Sequence, residues 1–376
     1  MTRLRIVDSP ADIAAARWDT LAAGNSGTGS NPFMSHAFLS ALIETGCASP
    51  RSGWTARFLL IERDGEAVAA MPLFVKTHSF GEYVFDWSWA DAYAKHGLAY
   101  YPKSLCAVPF TPVEGPRLLA RERGDRDALL AAALELARET SSFHLLFAGE
   151  EDMDVAREQG LLTRRSVQFH WRNEGYADFA SFLGRMSHAR RKNIKQERRR
   201  VRESGVTFRR LRGREIEPAH WEFFHRCYRS TYAAHGSSPY LSLRFFQQLG
   251  ATLPDNMLLF LAERESGPIA ASLCIADERR LYGRHWGALQ HVPLLHFECC
   301  YYQPIEYAIE QGLQVFEGGA QGEHKIFRGL LPVETHSAHW LAHPGFARAI
   351  GEHLSRESLG IERYVNELSE HSPFKS

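Results

Sequence analysis

Polar side chains of the kind that enzymes use are concentrated between residues 295 and 340. Residues 314–317 predict a strand that ends at Glu317, and His324 and Lys325 follow after a glycine-rich turn. Glycines let a backbone turn sharply and approach a ligand closely, and the ligands of open α/β sheets lie beyond the carboxyl ends of strands. We therefore predict that a donor substrate binds at this turn, through Gly318, Gly319, Gln321, Gly322 and Arg328.

The residue types around this turn suit the transfer of an acyl group to an amine. Such a reaction needs a group that accepts the amine proton and donors that stabilise the developing oxyanion. Glu317 or His324 is the predicted base, and Lys325 is predicted to stabilise the charge together with the backbone N–H groups of residues 318–322. A structural role stays open as the alternative for both features. Glu317 then caps the next helix or pairs with Lys325, and the glycines form only a tight turn.

Two further groups of polar residues are candidates for binding the acceptor. Glu298 and Gln303 lie on a predicted helix, 298–311, that otherwise has the pattern of a buried element. Glu82, Asp86 and Tyr93 lie in an irregular aromatic stretch, 80–116, where the alternative is that they only hold down a long loop.

A metal site is not predicted. His336 and His339 are three residues apart on a predicted strand, so their side chains point to opposite faces, and no third ligand is fixed by spacing.

A strongly basic segment, residues 185–205, separates the two halves of the chain. Residues 185–202 contain nine Lys or Arg and one Glu. At helical spacing only Ile194 and Val201 form an apolar stripe, so a solvated helix is one interpretation. Clustered positive charges repel one another unless an anion lies against them. The other interpretation is therefore that the segment binds a phosphate-bearing ligand or RNA. The candidate contacts are Arg191, Lys195 and Arg198.

Composition and motifs exclude several classes of protein. Lys plus Arg and Asp plus Glu both total 44, and hydrophobic residues make up 44%, as in an ordinary globular protein. The six cysteines show no CxxC spacing, which favours a reducing, cytoplasmic compartment. No stretch resembles a membrane span or a signal sequence. The motifs of ATP-binding loops, dinucleotide-binding folds and serine hydrolases are absent from the sequence.

The length of 376 residues favours two domains, and the order of predicted elements repeats. Glu62-Arg63 followed by Val68-Ala69-Ala70 matches Glu263-Arg264 followed by Ile269-Ala270-Ala271 at a constant offset of 201. We therefore favour a duplicated domain, with a first domain at 1–172, a basic helical connector at 173–205 and a second domain, carrying the main site, at 206–376. The alternative is two unrelated α/β domains that share a hairpin by accident.

Several segments resemble a known family. The element order is similar to that of GNAT acyltransferases, and two such units in one chain resemble the FemAB-like aminoacyltransferases. The segments that carry the likeness are HARRKNIKQERRRVRESGV, YYQPIEYAIEQGLQVFEGG, GEYVFDW, PFTPVEGPR, LHFECCYYQ and FEGGAQGEHK. The resemblance implies a mixed α/β (α+β) fold of two tandem GNAT-like domains and an N-acyltransferase activity.

The same resemblance implies substrates. The donor would be acyl-CoA or aminoacyl-tRNA, with tRNA as a partner, and the acceptor a small-molecule or cell-wall-precursor amine. Residues 287–293, GALQHVP, depart from the [QR]-x-x-G-x-[GA] pattern that holds acyl-CoA in GNAT enzymes. The basic segment fits an aminoacyl-tRNA donor better. A non-catalytic module of the same fold that recognises an anionic glycan or RNA is the alternative function.

Overall fold

The computed structural model describes residues 2–24, 31–320 and 322–375. Packing divides the chain into two units. The first comprises Met1–Ser166 with Glu334–Arg363, and the second comprises Val167–Val333 with Tyr364–Ser376. Residues 173–205, expected from the sequence to connect two domains, lie in the second unit, and residues 334–363 lie in the first.

The strands of the described residues follow the apolar runs of the sequence. They are β1 (Thr2–Val7), β2 (Trp54–Ala56), β3 (Phe58–Arg63), β4 (Glu66–Met71), β5 (Leu73–Lys76), β6 (Lys103–Cys106), β7 (Leu119–Ala120), β8 (Ser142–Leu146), β9 (Leu162–Arg172), β10 (Thr207–Arg212), β11 (Met257–Arg264), β12 (Gly267–Ala276), β13 (Arg280–Ala288), β14 (Val315–Glu317) and β15 (Leu331–Leu341).

The helices begin at polar caps or prolines in many cases. They are α1 (Ala15–Ala23), α2 (His36–Glu44), α3 (Trp87–Lys95), α4 (Arg123–Leu136), α5 (Glu150–Glu158), α6 (Phe179–Arg185), α7 (His188–Glu203), α8 (Pro218–Ala234), α9 (Leu243–Thr252), α10 (Leu295–Phe297), α11 (Gln303–Glu310) and α12 (Pro344–Glu370). One turn of π-helix, Glu298–Tyr302, joins α10 to α11.

The first unit contains two sheets. One has the order β1-β3-β4-β7, and α4 packs against β3 and β4. In the other, β2, β5 and β6 are antiparallel neighbours, β6 runs parallel to β8, and β8 pairs antiparallel with residues 337–341 of β15. Leucines and alanines of α4 and of the strands that face it form an apolar core of the first unit.

The second unit is built on one sheet that positions the candidate site. Strands β10, β11, β12 and β13 form an antiparallel run, β13 pairs parallel with β14, and β14 pairs antiparallel with residues 170–172 of β9. Helix α8 packs against β12 and β13. The π-helix and α11 contribute Cys299, Tyr302 and Ile305 to the core.

The two matching hairpins of the sequence have the same register. In the first, Glu62 pairs with Ala67 after a bulge between Ile61 and Glu62. In the second, Glu263 pairs with Pro268 after a bulge between Ala262 and Glu263. At the same offset of 201 residues, the two hairpins therefore share matching residues and also the position of a β-bulge. An accidental likeness between two unrelated hairpins does not require a shared bulge.

The basic segment forms α7, which Ser187 caps by accepting a hydrogen bond from the backbone N–H of Arg190. Ile194 and Val201 are buried at 2% and 1% exposure, so the thin apolar stripe predicted from the sequence is the face that packs. Among the described residues, no helix is both long enough and apolar enough to span a bilayer.

Candidate functional site

The glycine turn after β14 is fixed by close backbone packing. The N–H of Gly318 donates to the carbonyl of Phe169, and the N–H of Phe169 donates to the carbonyl of Gly319. A Cβ on Gly318 would lie 2.3 Å from a methyl group of Leu330, and Gly319 and Gly322 have φ values of +81° and +101°. Glycine is therefore required for this path of the chain. Gln321 lies outside the described residues.

Strand β13 extends further than β14 beside this turn. The two strands pair only at Arg280↔Val315, Leu281↔Phe316 and Tyr282↔Glu317, although β13 continues to Ala288. Residues 283–288 of β13 therefore extend beyond the last pairing with β14.

Glu317 lies in an ion pair at the end of β14. Its carboxylate, 3% exposed, accepts a hydrogen bond from Arg280 Nη1 at 2.9 Å, and its other oxygen lies 3.9 Å from His170 Nε2. Burial lowers the pKa of His170 to about 3, helped by the charge of Arg280, so this imidazole is neutral. For Arg280, burial opposes the charge, but Glu317 outweighs it and the pKa is raised.

Lys325 is a buried amine held by the turn itself. Its Nζ donates to the carbonyl of Gly319 at 3.2 Å and lies 5.7 Å from the centre of the Phe169 ring. Burial lowers its pKa to about 8, an effect that Cys300 partly offsets. Lys325 is 5% exposed, so its charge is poorly solvated. A cation of this kind gains strongly from a negative charge that forms next to it.

His324 is half-buried in an aromatic cluster. Its Nε2 lies 3.2 Å from the hydroxyl of Tyr301, and its ring centre lies 5.5 Å from that of Phe297 and 6.4 Å from that of His296. Burial lowers its pKa, and the positive charges of Arg328 and Lys325 lower it further. At neutral pH the imidazole is therefore uncharged and can accept a proton.

Arg328 ties the turn to α7. Its Nη2 donates to both carboxylate oxygens of Glu197 at 2.9 Å, and its Nη1 donates to the carbonyl of His324. The guanidinium also stacks on Phe297, 3.5 Å from the ring centre, and Tyr302 donates to Glu197. The predicted donor-binding residue Arg328 thus has a protein carboxylate as its observed partner.

A large basic groove lies along α7. Its volume is about 1390 Å³, and α7, β10 and the helix that follows the π-turn line it. Arg191, Lys192, Lys195 and Arg202 line this groove, and among the described residues no carboxylate lies within ion-pair distance of them.

The other predicted residues of this groove are paired with one another. Arg198 binds the carboxylates of Glu298 and Glu306, and the amide of Gln303 donates to Glu298 at 2.8 Å. The structure therefore brings Arg198, Glu298 and Gln303 into one buried network, beside the unpaired cations. Acceptor binding by Glu298 and Gln303 stays a prediction.

Glu82 and Asp86, in the first unit, surround a buried lysine. Lys103 Nζ donates to Glu82 at 2.7 Å and also to Asp86, and Lys76 lies 3.8 Å from Glu82. Burial raises the pKa of Glu82 to about 7 and lowers that of Lys76 to about 7. Burial opposes the charge of Asp86 as well, but Lys103 holds its pKa at about 2.

Tyr93 packs within the same unit, with its ring stacked on Phe346 at 4.0 Å between centres. His144 and His339 are also buried there, with their Nδ1 atoms 2.7 Å apart. These contacts hold the segment 77–102 in place, and acceptor binding by Glu82, Asp86 and Tyr93 stays a prediction. Among the described residues, no group of three His, Cys, Asp or Glu side chains has the arrangement of a metal site.

Three residues of these networks were not identified from the sequence: Lys103, Glu197 and Arg280. Glu197 had a visible signal, since it is the single acidic residue within the basic run 185–202. Arg280 and Lys103 had none, because their partners are 37 and 21 or 17 residues away along the chain.

Comparison with known proteins supplies the family. A family model described as peptidoglycan biosynthesis/recognition, FemAB-like, matches residues 9–376. A search of curated proteins finds no significant match.

Solved structures supply the fold. FemX is similar with a TM-score of 0.56 and 11% identity over 92% of this chain and 100% of its own. L-PGS from Bacillus licheniformis has a TM-score of 0.50 and 10% identity over 82% and 89%. A tandem GNAT protein from the clavulanic acid biosynthesis pathway has a TM-score of 0.49 and 13% identity over 92% and 99%.

The match over nearly the whole chain establishes the family, and the structural likeness confirms the mixed α/β, GNAT-like fold class expected from the sequence. The chain belongs to the FemAB-like family and is an N-acyltransferase.

Proposed function

We propose that this protein transfers an acyl or aminoacyl group from an activated donor to an amine at the turn formed by residues 318–328. The observation that carries the proposal is a half-buried imidazole, His324, next to a buried amine, Lys325, whose hydrogen-bond partner is the carbonyl of Gly319 in the turn after β14. Burial lowers the pKa of both groups. An amine that attacks an acyl carbonyl must lose a proton and generates an oxyanion. The two side chains meet these two needs.

His324 is the base in this proposal. The amine nitrogen forms a bond to the acyl carbon, and its proton passes to the free nitrogen of the imidazole. The bond from the acyl carbon to the donor's sulfur or oxygen then breaks, and the protonated imidazole returns the proton to that leaving atom. Glu317 is less suited to this role, because the Arg280 guanidinium stabilises its charged form at 2.9 Å. We assign Glu317 to positioning the end of β14.

Lys325 stabilises the oxyanion. Lys325 is 5% exposed, and the hydrogen-bond partner of its amine in the turn is a neutral carbonyl, that of Gly319. A negative charge that forms nearby would therefore meet a cation that no carboxylate has neutralised. Electrostatic stabilisation of this kind is strongest where water is excluded.

We further propose that the groove along α7 binds the anionic part of the donor. Arg191, Lys195, Arg198 and Arg202 are spaced i, i+4, i+7 and i+11, so they share one face of the helix. The salt bridge between Arg328 and Glu197 joins this helix to the catalytic turn. A phosphate-rich donor such as aminoacyl-tRNA fits a stripe of this charge. The family description supports a cell-wall-precursor amine as acceptor.

Native mass spectrometry of freshly purified protein should first identify any retained CoA, nucleotide or RNA. Turnover is then measured with that donor class and a panel of precursor amines. His324→Gln should lower turnover by roughly 10²–10⁴, the usual contribution of general acid–base catalysis, with little change in donor binding. His371→Gln, at an exposed position, is the control. Full activity in His324→Gln and Lys325→Met would show that the chemistry takes place elsewhere.

Donor binding is tested separately by its salt dependence. The variant Arg191→Ala/Lys195→Ala should reduce the slope of log K against log salt by roughly 1.4–1.8 for a nucleic-acid donor, since each phosphate contact contributes about 0.7–0.9. Arg226→Ala/Arg229→Ala removes the same charge from exposed positions of α8 and is the matched control. Equal slopes in both variants would exclude the groove as the anion site.

A further inference from the structure

A tyrosine hydroxyl occupies one of the two ring nitrogens of His324. The oxygen of Tyr301 lies 3.2 Å from Nε2 of the imidazole. Tyr301 is 4% exposed and belongs to the π-helical turn Glu298–Tyr302, so the apolar core around its ring fixes the position of its hydroxyl. Within the ranges that the structure describes, the imidazole forms no other hydrogen bond to the protein.

The second nitrogen, Nδ1, is left open beside the glycine turn. A Cβ on Gly322 would lie 2.4 Å from Cε1 and 2.9 Å from Nδ1 of His324. Because the residue is glycine, the space beside these two ring atoms is not filled by a side chain. The imidazole is half-buried, so Nδ1 is the nitrogen that remains for an incoming amine.

The hydrogen bond to Tyr301 decides which nitrogen can act as a base. A neutral imidazole has one N–H group and one lone pair, and a phenol can donate or accept. If Tyr301 donates to Nε2, the ring carries its hydrogen on Nδ1 and its only lone pair is taken. If Nε2–H donates to the Tyr301 oxygen, Nδ1 keeps its lone pair. Only the second arrangement takes up a proton at Nδ1 without first breaking the bond to Tyr301.

The groups that face the ring make Tyr301 the acceptor for an imidazolium. Burial lowers the pKa of His324, and the positive charges of Arg328 and Lys325 lower it further; neither cation can accept a hydrogen bond. The ring centre of His296 is 6.4 Å away, and burial lowers the pKa of that imidazole to about 4. Burial raises the pKa of Tyr301, so its hydroxyl stays uncharged and its oxygen is free to accept.

We propose that Tyr301 is a positioning residue that holds His324 with its hydrogen on Nε2 and its lone pair on Nδ1, beside the glycine turn. The amine proton passes to Nδ1, and Tyr301 accepts a charge-assisted hydrogen bond from Nε2–H of the resulting imidazolium. Tyr301 itself neither gains nor loses a proton. The proposal rests on the proposed function and deepens it, because it names the nitrogen that reacts and the residue that selects it.

The position of the hydrogen is measured without any substrate. Long-range proton–nitrogen NMR spectra of the full chain distinguish a protonated ring nitrogen from one with a lone pair. The signals of His324 are those missing from the spectrum of His324→Gln. Above its pKa, His324 of the wild type should carry its hydrogen on Nε2. A ring with its hydrogen mainly on Nδ1 would overturn the proposal.

Tyr301→Phe removes the hydroxyl and keeps the ring in the core. A charge-assisted hydrogen bond is about twice as strong as a neutral one, so the imidazolium loses more than the neutral ring. The pKa of His324 should therefore fall by roughly half a unit to one unit. The acid side of the kcat/KM profile should move to lower pH by the same amount, and kcat should fall about threefold to tenfold while donor Kd is unchanged.

Tyr307→Phe is the matched control. It removes a hydroxyl from the same core, where the Tyr307 ring packs against Phe260, and it should leave the pKa of His324 unchanged. An unchanged pKa of His324 in Tyr301→Phe would overturn the proposal. So would equal shifts in the two phenylalanine variants.

Failure of this proposal and failure of the proposed function give different results. The expected tautomer and pKa shift, together with full activity of His324→Gln, would support the role of Tyr301 and reject transfer chemistry at His324. Turnover that depends on His324, in a protein whose imidazole carries its hydrogen on Nδ1, would support the chemistry and reject the role of Tyr301.

Discussion

Replacing Lys325 by Met should make the protein more stable while it lowers turnover. The buried amine is held in its charged form at neutral pH, although burial lowers its pKa from 10.5 to about 8. A shift of that size corresponds to roughly 3 kcal/mol of unfavourable free energy in the folded state, at about 1.36 kcal/mol per pKa unit. Methionine has a similar length and carries no charge, so the variant should recover much of this free energy.

The sign of the pH dependence follows from the same shift. Below pH 8 the lysine is protonated in both states, and the folded state bears the full cost of the buried charge. Between pH 8 and 10.5 the unfolded chain binds the proton and the folded chain does not, so stability rises with pH in that window. The stabilising effect of Lys325→Met should therefore be largest below pH 8 and fade above it.

Urea unfolding at pH 7 and at pH 9.5 measures both effects. Lys103→Met is the control, because Lys103 is equally buried but its pKa is raised by Glu82 and Asp86, which outweigh the effect of burial. Removing that cation leaves two buried carboxylates without their partner and should cost roughly 3–5 kcal/mol. A large destabilisation by Lys325→Met would refute the reasoning. It would indicate that Lys325 is part of a structural ion pair.

Three further outcomes are expected. The plot of kcat/KM against pH should be bell-shaped, rising as His324 loses its proton below pH 6.5 and falling as Lys325 loses its proton near pH 8. Lys325→Arg should remove the fall on the alkaline side. An unchanged alkaline fall in this variant would contradict the assignment. Arg280→Met should lower the free energy of unfolding, as urea unfolding will show, but by less than the roughly 3–5 kcal/mol of a fully buried pair, because the Arg280 side chain is 41% exposed; an unchanged free energy of unfolding would contradict it. Glu197→Gln should weaken donor binding more than it weakens Lys325-dependent catalysis, because it loosens α7 from the turn, and separate Kd and single-turnover measurements distinguish the two.

The elements that the sequence predicted well are those set by local periodicity. Strand β14 was expected at 314–317 and is observed at Val315–Glu317, within one residue of the predicted bounds. The stripe of Ile194 and Val201 identified the buried face of α7, since helical spacing depends only on neighbouring residues. The aromatic stretch 80–116 was expected to be irregular, but it contains α3 and β6, whose side chains pack against distant parts of the first unit.

The partners of charged residues could not be predicted in the same way, because they depend on which strands become neighbours. Glu317 meets Arg280 only because β14 lies parallel to β13 with Tyr282 opposite Glu317. Pairing with Lys325, eight residues away along the chain, was one of the alternatives left open by the sequence. The register of the sheet gives Glu317 another cation and leaves Lys325 with a carbonyl as its hydrogen-bond partner. In the mechanism that we propose, this choice of partners leaves Lys325 able to stabilise the oxyanion.

Glu197 shows how a single residue can organise a surface of the opposite charge. It is the one acidic residue among the nine basic residues of 185–202, and it binds Arg328 and Tyr302. The next residue, Arg198, binds Glu298. Two consecutive positions of α7 are thus held by partners in the second unit, which fixes the rotation of the helix. The face that carries Arg191 and the cations aligned with it must then line the groove. A stripe of like charges in this orientation is costly without an anion, and this cost is the physical reason for the polyanionic donor that we propose.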